Sequence, residues 1–314
     1  MRHFAFSLIL VSVFLLYNGA TSDDTVELPR KAVTTTPHKI EEINENGQKR
    51  YRIQTENYDI IAPRIEDGKL IGERLENLFD VWTLLAAEFG KESKKEPVQQ
   101  RLRVILYRNQ QEYRLNLYRL EPLIAETNGL YFEPRKTVYF FSADEPVLLH
   151  EGTHQILAEH FFPEKTHVFR SNFWIVEGIA LFMQTLKVEE KRYTVGDILA
   201  NRLYSAKVYR FEWNHNLPIQ KLTAMSKEYI QNSRDLQKIY SQSATLTHWL
   251  MFAEEGRYRA VLFELLRRTY LGTAKPETLS ELTGLSYEEL DKKYTEFLKT
   301  IPDDEKQSDS KVNF

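Results

Sequence analysis

The sequence predicts an α+β fold, on two observations. Segments with the two-residue alternation of strands lie almost wholly in 50–145, and segments with the three- and four-residue spacing of helices fill 146–300. Strands followed by a run of helices mark an α+β chain, not an alternating α/β one. The expected architecture is a small N-terminal β-sheet with one packed helix, then a histidine-bearing helix, a glutamate-bearing helix and a C-terminal helical region. A chain of 314 residues accommodates one large domain or two small ones, and 50–300 reads as a single domain. It is long enough to bury a sizeable core without covalent staples.

The elements follow in order. Residues 1–22 have the three-part layout of a secretory signal peptide: a positive start at Arg2 and His3, an apolar run from Phe4 to Tyr17, and the small residues Asn18-Gly19-Ala20-Thr21-Ser22. The apolar run is shorter than the roughly 20 residues that span a bilayer. The protein is therefore expected to be exported, periplasmic or extracellular, with no stable membrane insertion after cleavage; an uncleaved anchor is the alternative. Residues 23–49 are polar and rich in Thr, Glu and Asn, and read as a flexible tail, as do 301–314.

Tyr51-Arg52-Ile53-Gln54-Thr55 alternates as a strand does, and Tyr58-Asp59-Ile60-Ile61 continues it. Across 70–89 the apolar residues Leu75, Leu78, Phe79, Trp82, Leu85 and Phe89 recur at helical spacing, with Gly90 as the stop and 91–96 as a charged loop. Residues 102–107 form a strand and 110–117 a short helix. Residues 129–132 and 137–141 form a hairpin around Glu133-Pro134-Arg135-Lys136. Helices are expected at 147–161, 174–186, 194–205, 227–252, 258–270, 275–283 and 287–299. Ser286 and Glu289 make a capping box for the last.

Composition excludes several classes. With a net charge of −3 and no basic stripe, nothing favours a nucleic-acid or anionic-membrane partner. The chain has no cysteine, so it has no disulfide and no thiolate ligand. There is also no Asn-x-Ser/Thr acceptor, and both absences suit a bacterial exported protein. Any metal site must be built from His and carboxylates.

His150-Glu151-Gly152-Thr153-His154 matches H-E-x-x-H. On a helix, residues four apart lie one turn above each other, so two imidazoles so spaced can share one metal ion. Glu151 then lies about 100° round the helix, within reach of a water on that ion. A helix is expected here, because Ser142 or Asp144 can cap it and Glu145 and Pro146 suit a first turn. Gly152 costs about 1 kcal/mol inside a helix, which is accounted for if another backbone passes close by.

Two histidines do not complete a catalytic zinc site, which typically has three protein ligands and a water. The next helix supplies a candidate in Trp174-Ile175-Val176-Glu177-Gly178-Ile179-Ala180. Glu177 is the one acid in an apolar segment, and such a carboxylate is costly unless paired, exposed or bound to metal. A solvent-facing Glu near a helix start is the plainer alternative. His160 points off the motif's face, His167 and His215 fall in expected loops, and His3 and His38 lie in the leader and tail.

H-E-x-x-H followed one helix later by W-x-x-E-G-x-A resembles the gluzincin metallopeptidases, and most closely the peptidase-MA-like group of bacterial exported proteins. The resemblance spans roughly 51–298, with its specificity in the two helix motifs. It implies a gluzincin, thermolysin-like core, Zn²⁺ held by His150, His154 and Glu177, and peptide or protein substrates. It also implies that strand 129–132 or 137–141 is the edge that takes an extended substrate. Relatives often stabilise the oxyanion with a Tyr or His from the later helices. Tyr240, in Tyr240-Ser241-Gln242-Ser243, is the first candidate here and His248 the second, with helix packing as the alternative duty of both. Many relatives carry a second acid one turn after the glutamate ligand. Here that position is Leu181, so the outer hydrogen-bond partner of the histidines must come from elsewhere, such as a backbone carbonyl or Gln184.

The expected activity is a zinc metallopeptidase with Glu151 as general base. It takes a proton from the attacking water and passes it to the leaving amine. Two alternatives stay open: a zinc hydrolase of another amide or ester, and a non-catalytic binding protein on a retired peptidase fold.

Overall fold

The computed structural model describes residues 25–30, 34–45, 47–85, 100–121, 124, 127–142, 144–198 and 200–303. The expected signal peptide, Phe89, the Gly90 stop, the 91–96 loop and the end of the C-terminal tail lie outside them.

Nine strands are described: β1 (Val26–Pro29), β2 (Lys39–Glu45), β3 (Gln48–Gln54), β4 (Tyr58–Ala62), β5 (Leu102–Leu106), β6 (Gly129–Phe132), β7 (Thr137–Phe140), β8 (Lys187–Val188) and β9 (Arg192–Val195). Six form the main sheet, in the order β2-β3-β4-β5-β7-β6. Its centre is parallel, β4 to β5 to β7, and its flanks are antiparallel. Adjacent residues of the central strands face opposite sides. Ile60, Val104 and Val138 join the main core with helix α1 (Ile65–Leu85). Ile61, Ile105 and Tyr139 join a smaller core with helix α2 (Gln110–Leu117). The sheet is thus covered on both faces, as buried parallel strands require.

The second half is helical, as expected: α3 (Glu145–Ile156), α4 (Phe173–Met183), α5 (Asn201–Phe211), α6 (Ile219–Thr223), α7 (Lys227–Gln231), α8 (Leu236–Gly256), α9 (Arg259–Tyr270), α10 (Thr278–Thr283) and α11 (Tyr287–Thr300). The Ser286–Glu289 capping box on α11 is present with both of its bonds. Among the described residues no helix is long and apolar enough to cross a membrane.

Four expectations need correction. Residues 23–49 are not simply a tail. Val26 and Leu28 are buried where β1 pairs with β9, and β2 forms the charged outer edge of the main sheet. Charge is how a free strand edge avoids further pairing, and it is also what made the stretch read as tail. Helix α1 begins at Ile65, before the expected 70, because Gly68 and Gly72 interrupt the apolar period. No helix begins at 194. Buried Tyr193 and Val195 alternate along β9, Gly196 turns the chain at φ +96, and α5 starts at Asn201. The expected 227–252 helix is two helices, parted by a polar break in which Asp235 N–H donates to Ser233 Oγ.

Candidate metal centre

Helix α3 presents His150, Glu151 and His154 to a cavity of about 450 Å³ between the outer strand β6 and helices α4 and α8. Pro146 occupies its first turn, where the missing N–H breaks no helical bond. The chain then passes through a single π-helical turn, Leu157–Phe161, and returns to α4. Asn172 sets that return. It adopts φ +56, its N–H donates to Thr223 O at 2.8 Å, and its Nδ2 donates to Lys275 O at 2.8 Å.

The return brings Glu177 onto the two histidines. Nε2 of His150 and Nε2 of His154 are 3.1 Å apart, and Glu177 Oε2 lies 3.3 Å from the first and 3.7 Å from the second. A tetrahedral ion with bonds of about 2.0–2.1 Å needs ligand atoms roughly 3.3 Å apart. Glu177 Oε2 is buried, and its ion-pair partners among the described residues are the two imidazole Nε2 atoms, so the three donors converge on one point. These three residues could hold a metal ion. Glu177 is not the solvent-facing alternative: it is 4 % exposed.

The electrostatics agree with the geometry. Burial works against the charged form of Glu177, but the His154 charge and the hydrogen bonds of both imidazoles hold its carboxyl well below the usual range. Burial works to lower the His150 pKa, but Glu177 and Glu151 outweigh it, and the value rises above the ordinary one. A divalent cation would take the place of those protons.

Glu151 Oε2 accepts from the backbone N–H of Tyr131, on β6, at 2.7 Å. Tyr240, on α8, lines the same cavity as the triad. Burial raises its hydroxyl well above the ordinary tyrosine value, and the charge and hydrogen bonding of Glu177 add to the shift. All five sequence-derived site residues therefore meet in one cavity. Gly178 permits the approach of α8, because a Cβ there would sit 2.7 Å from the Ser243 carbonyl oxygen and would also strike Thr247 Oγ1.

Other expectations fail. His248 is buried in the core, with Nε2 3.1 Å from Gly196 O and its ring stacked on Phe297, so it is not the oxyanion donor. Gln184 caps the C-terminus of α4, and His150 Nδ1 is buried with no hydrogen-bond partner among the described residues. Neither Gln184 nor a carbonyl fills the outer position expected for that ring. Gly152 meets side chains and not backbone, since a Cβ there would lie 2.8 Å from Leu75 Cδ2 on α1. Of the two candidate strands only β6 is an edge, because β7 is paired on both sides.

Sequence reasoning missed the residues that frame the site. Glu159 is half-buried and accepts from Tyr131 Oη at 2.6 Å, Lys165 Nζ at 3.0 Å and Lys136 Nζ at 2.9 Å. Arg202, on α5, bonds Gln237 Oε1 at 2.6 Å, and its charge acts on His150 and Tyr240. Their sequence neighbourhoods read as ordinary solvated charge, so no local pattern marks them. No family model matches the chain, and a search of curated proteins likewise found no match.

Proposed function

We propose that the protein is a zinc-dependent hydrolase of the gluzincin type, a metallopeptidase that cleaves peptide bonds outside the cytoplasm. The observation that carries this reading is the convergence of His150, His154 and Glu177 in an open cavity, with Glu151 beside them. Two imidazoles and one carboxylate are a donor set that suits zinc, with a position left for water. The order of sheet, histidine helix, glutamate helix and helical region supports a thermolysin-like core.

A zinc ion bound there would acidify a water and polarise the substrate carbonyl. Glu151, anchored through Oε2 to Tyr131, accepts the proton of the attacking water and delivers it to the leaving nitrogen. Tyr240 keeps its proton throughout the physiological range and donates to the carbonyl oxygen as charge develops there. The outer edge of β6 lines the cavity and offers backbone groups to an extended peptide.

The test is metal analysis of the chain lacking residues 1–22, with His154→Ala and Glu177→Ala variants, followed by a panel of peptides and non-peptide amides. About one zinc per chain, lost in both variants, with peptide turnover abolished by Glu151→Gln, is the expected result. Turnover of only the non-peptide amides would redirect the assignment to another amide hydrolase. Absence of metal even after zinc addition would defeat it.

A further inference from the structure

The cavity that holds the triad is also lined by a cation that has no ion-pair partner among the described residues. Lys227, the first residue of α7, lines it with Nζ 5.7 Å from the centroid of the Phe173 ring. Among the described residues it makes no ion pair. The other charged groups of the wall that have assigned partners are engaged elsewhere. Lys165 is bound by Glu159 at 3.0 Å, Glu133 Oε1 lies 2.7 Å from His167 Nδ1, and Glu151 is bonded to the Tyr131 N–H.

The position of Lys227 is fixed from two sides. Its backbone N–H donates to Phe169 O at 3.0 Å, and Ser226 Oγ caps the short helix by accepting from Tyr229 N–H. Phe173 stands one helical turn before Glu177 on α4, so the two share a face about 5–6 Å apart along the axis. An ammonium over that ring lies near a residue one or two positions from a peptide bond held at the triad, at roughly 3.5 Å per extended residue. The surrounding wall includes Phe169, Val176 and Tyr270, whose low polarity strengthens any charge pairing made there.

We propose that Lys227 is a specificity-determining residue that binds a carboxylate of the substrate, so the preferred substrates are peptides with an acidic group one or two residues from the cleaved bond. This rests on the hydrolase reading of the same cavity. The carboxylate has two sources, an acidic side chain or a free chain terminus.

Binding to the zinc-loaded Glu151→Gln protein separates them. The probes are three kinds of fluorescent peptide built on one sequence: a set with Glu scanned through each position and an amidated end, Gln in its place with an amidated end, and Gln with a free C-terminus. The expected result is that one Glu position, or the free terminus, binds about tenfold tighter than the neutral peptide. Lys227→Met brings that ratio close to one, and Lys227→Arg largely restores it. Equal binding of all peptides, a preference that survives Lys227→Met, or no binding at all overturns the proposal. Hydrolysis of all the peptides, acidic and neutral, by the unsubstituted protein is followed in parallel. Cleavage without an acidic preference refutes the role of Lys227 and leaves the hydrolase intact, and an acidic preference without cleavage does the reverse.

Discussion

The backbone N–H of Tyr131 donates to Oε2 of Glu151 at 2.7 Å, joining the acid of the histidine helix to the free edge of the sheet. A carboxylate held through one oxygen keeps the other for a proton. Glu151→Gln retains an acceptor for that N–H, so its stability is expected to stay within about 1 kcal/mol of the parent, whereas Glu151→Ala loses about 1–2 kcal/mol. Urea denaturation of both variants is the check, and equal midpoints would show that the bond contributes nothing.

Gly178 controls how closely α8 approaches α4. In Gly178→Ala the new methyl meets the Ser243 carbonyl, which is helix backbone and cannot swing aside. A loss of about 1–3 kcal/mol is expected. Tyr240 should also be carried away from Glu177, lowering turnover more than substrate affinity. Thermal unfolding with a kcat and KM comparison measures both effects.

Glu76 is a buried carboxylate with a purely architectural role. It accepts from Thr55 Oγ1 at 2.7 Å, Asn57 N–H at 2.7 Å and Asn57 Nδ2 at 2.6 Å, fixing the turn between β3 and β4 on α1. Glu76→Ala leaves those donors without an acceptor and should cost about 2–4 kcal/mol, with Glu76→Gln intermediate. Metal content per folded chain should not change in either variant.

Protons and a metal ion held by His150, His154 and Glu177 would compete for the same atoms. In the metal-free protein the His150 pKa is raised above 6.5, so the stabilising charge it shares with Glu177 is present below 6.5 and is lost as pH rises through the raised value. Glu177 is lowered from 4.5, so its share is present above 4.5 and is lost only as pH falls through the depressed value. The metal-free site is therefore best paired between these limits, where bound metal must displace protons. Zinc affinity should fall as pH drops through the raised His150 value, and the gap in Tm between zinc-loaded and chelated protein should narrow with it. A gap independent of pH from 5 to 8, by differential scanning fluorimetry, would show that the histidines are not the ligands.

The parts of the fold and site that were legible in the sequence depend on short-range periodicity. The four-residue step from His150 to His154 needs only a helix, and the lone acid of 174–180 needs only an apolar context to stand out. Tyr240 came from a resemblance and not from spacing. Lys227, Glu159 and the Tyr131 N–H could not be found this way, because each gains its meaning from an element distant in sequence. The same holds for β1, whose two apolar residues are an inadequate local pattern until β9 lies beside them.

That pairing has a temporal side. Val26 opposes Val195, so the first described strand finds its partner only after most of the chain, including both halves of the triad, has been made. Contacts of such long sequence separation form late, since the loop they close must be ordered first. The N-terminal strand therefore waits on a partner far along the chain, and until it is seated Tyr193 and Val195 lack its cover. Protection of the β1 stretch from limited proteolysis thereby reports that the chain has been made and folded at least as far as Val195.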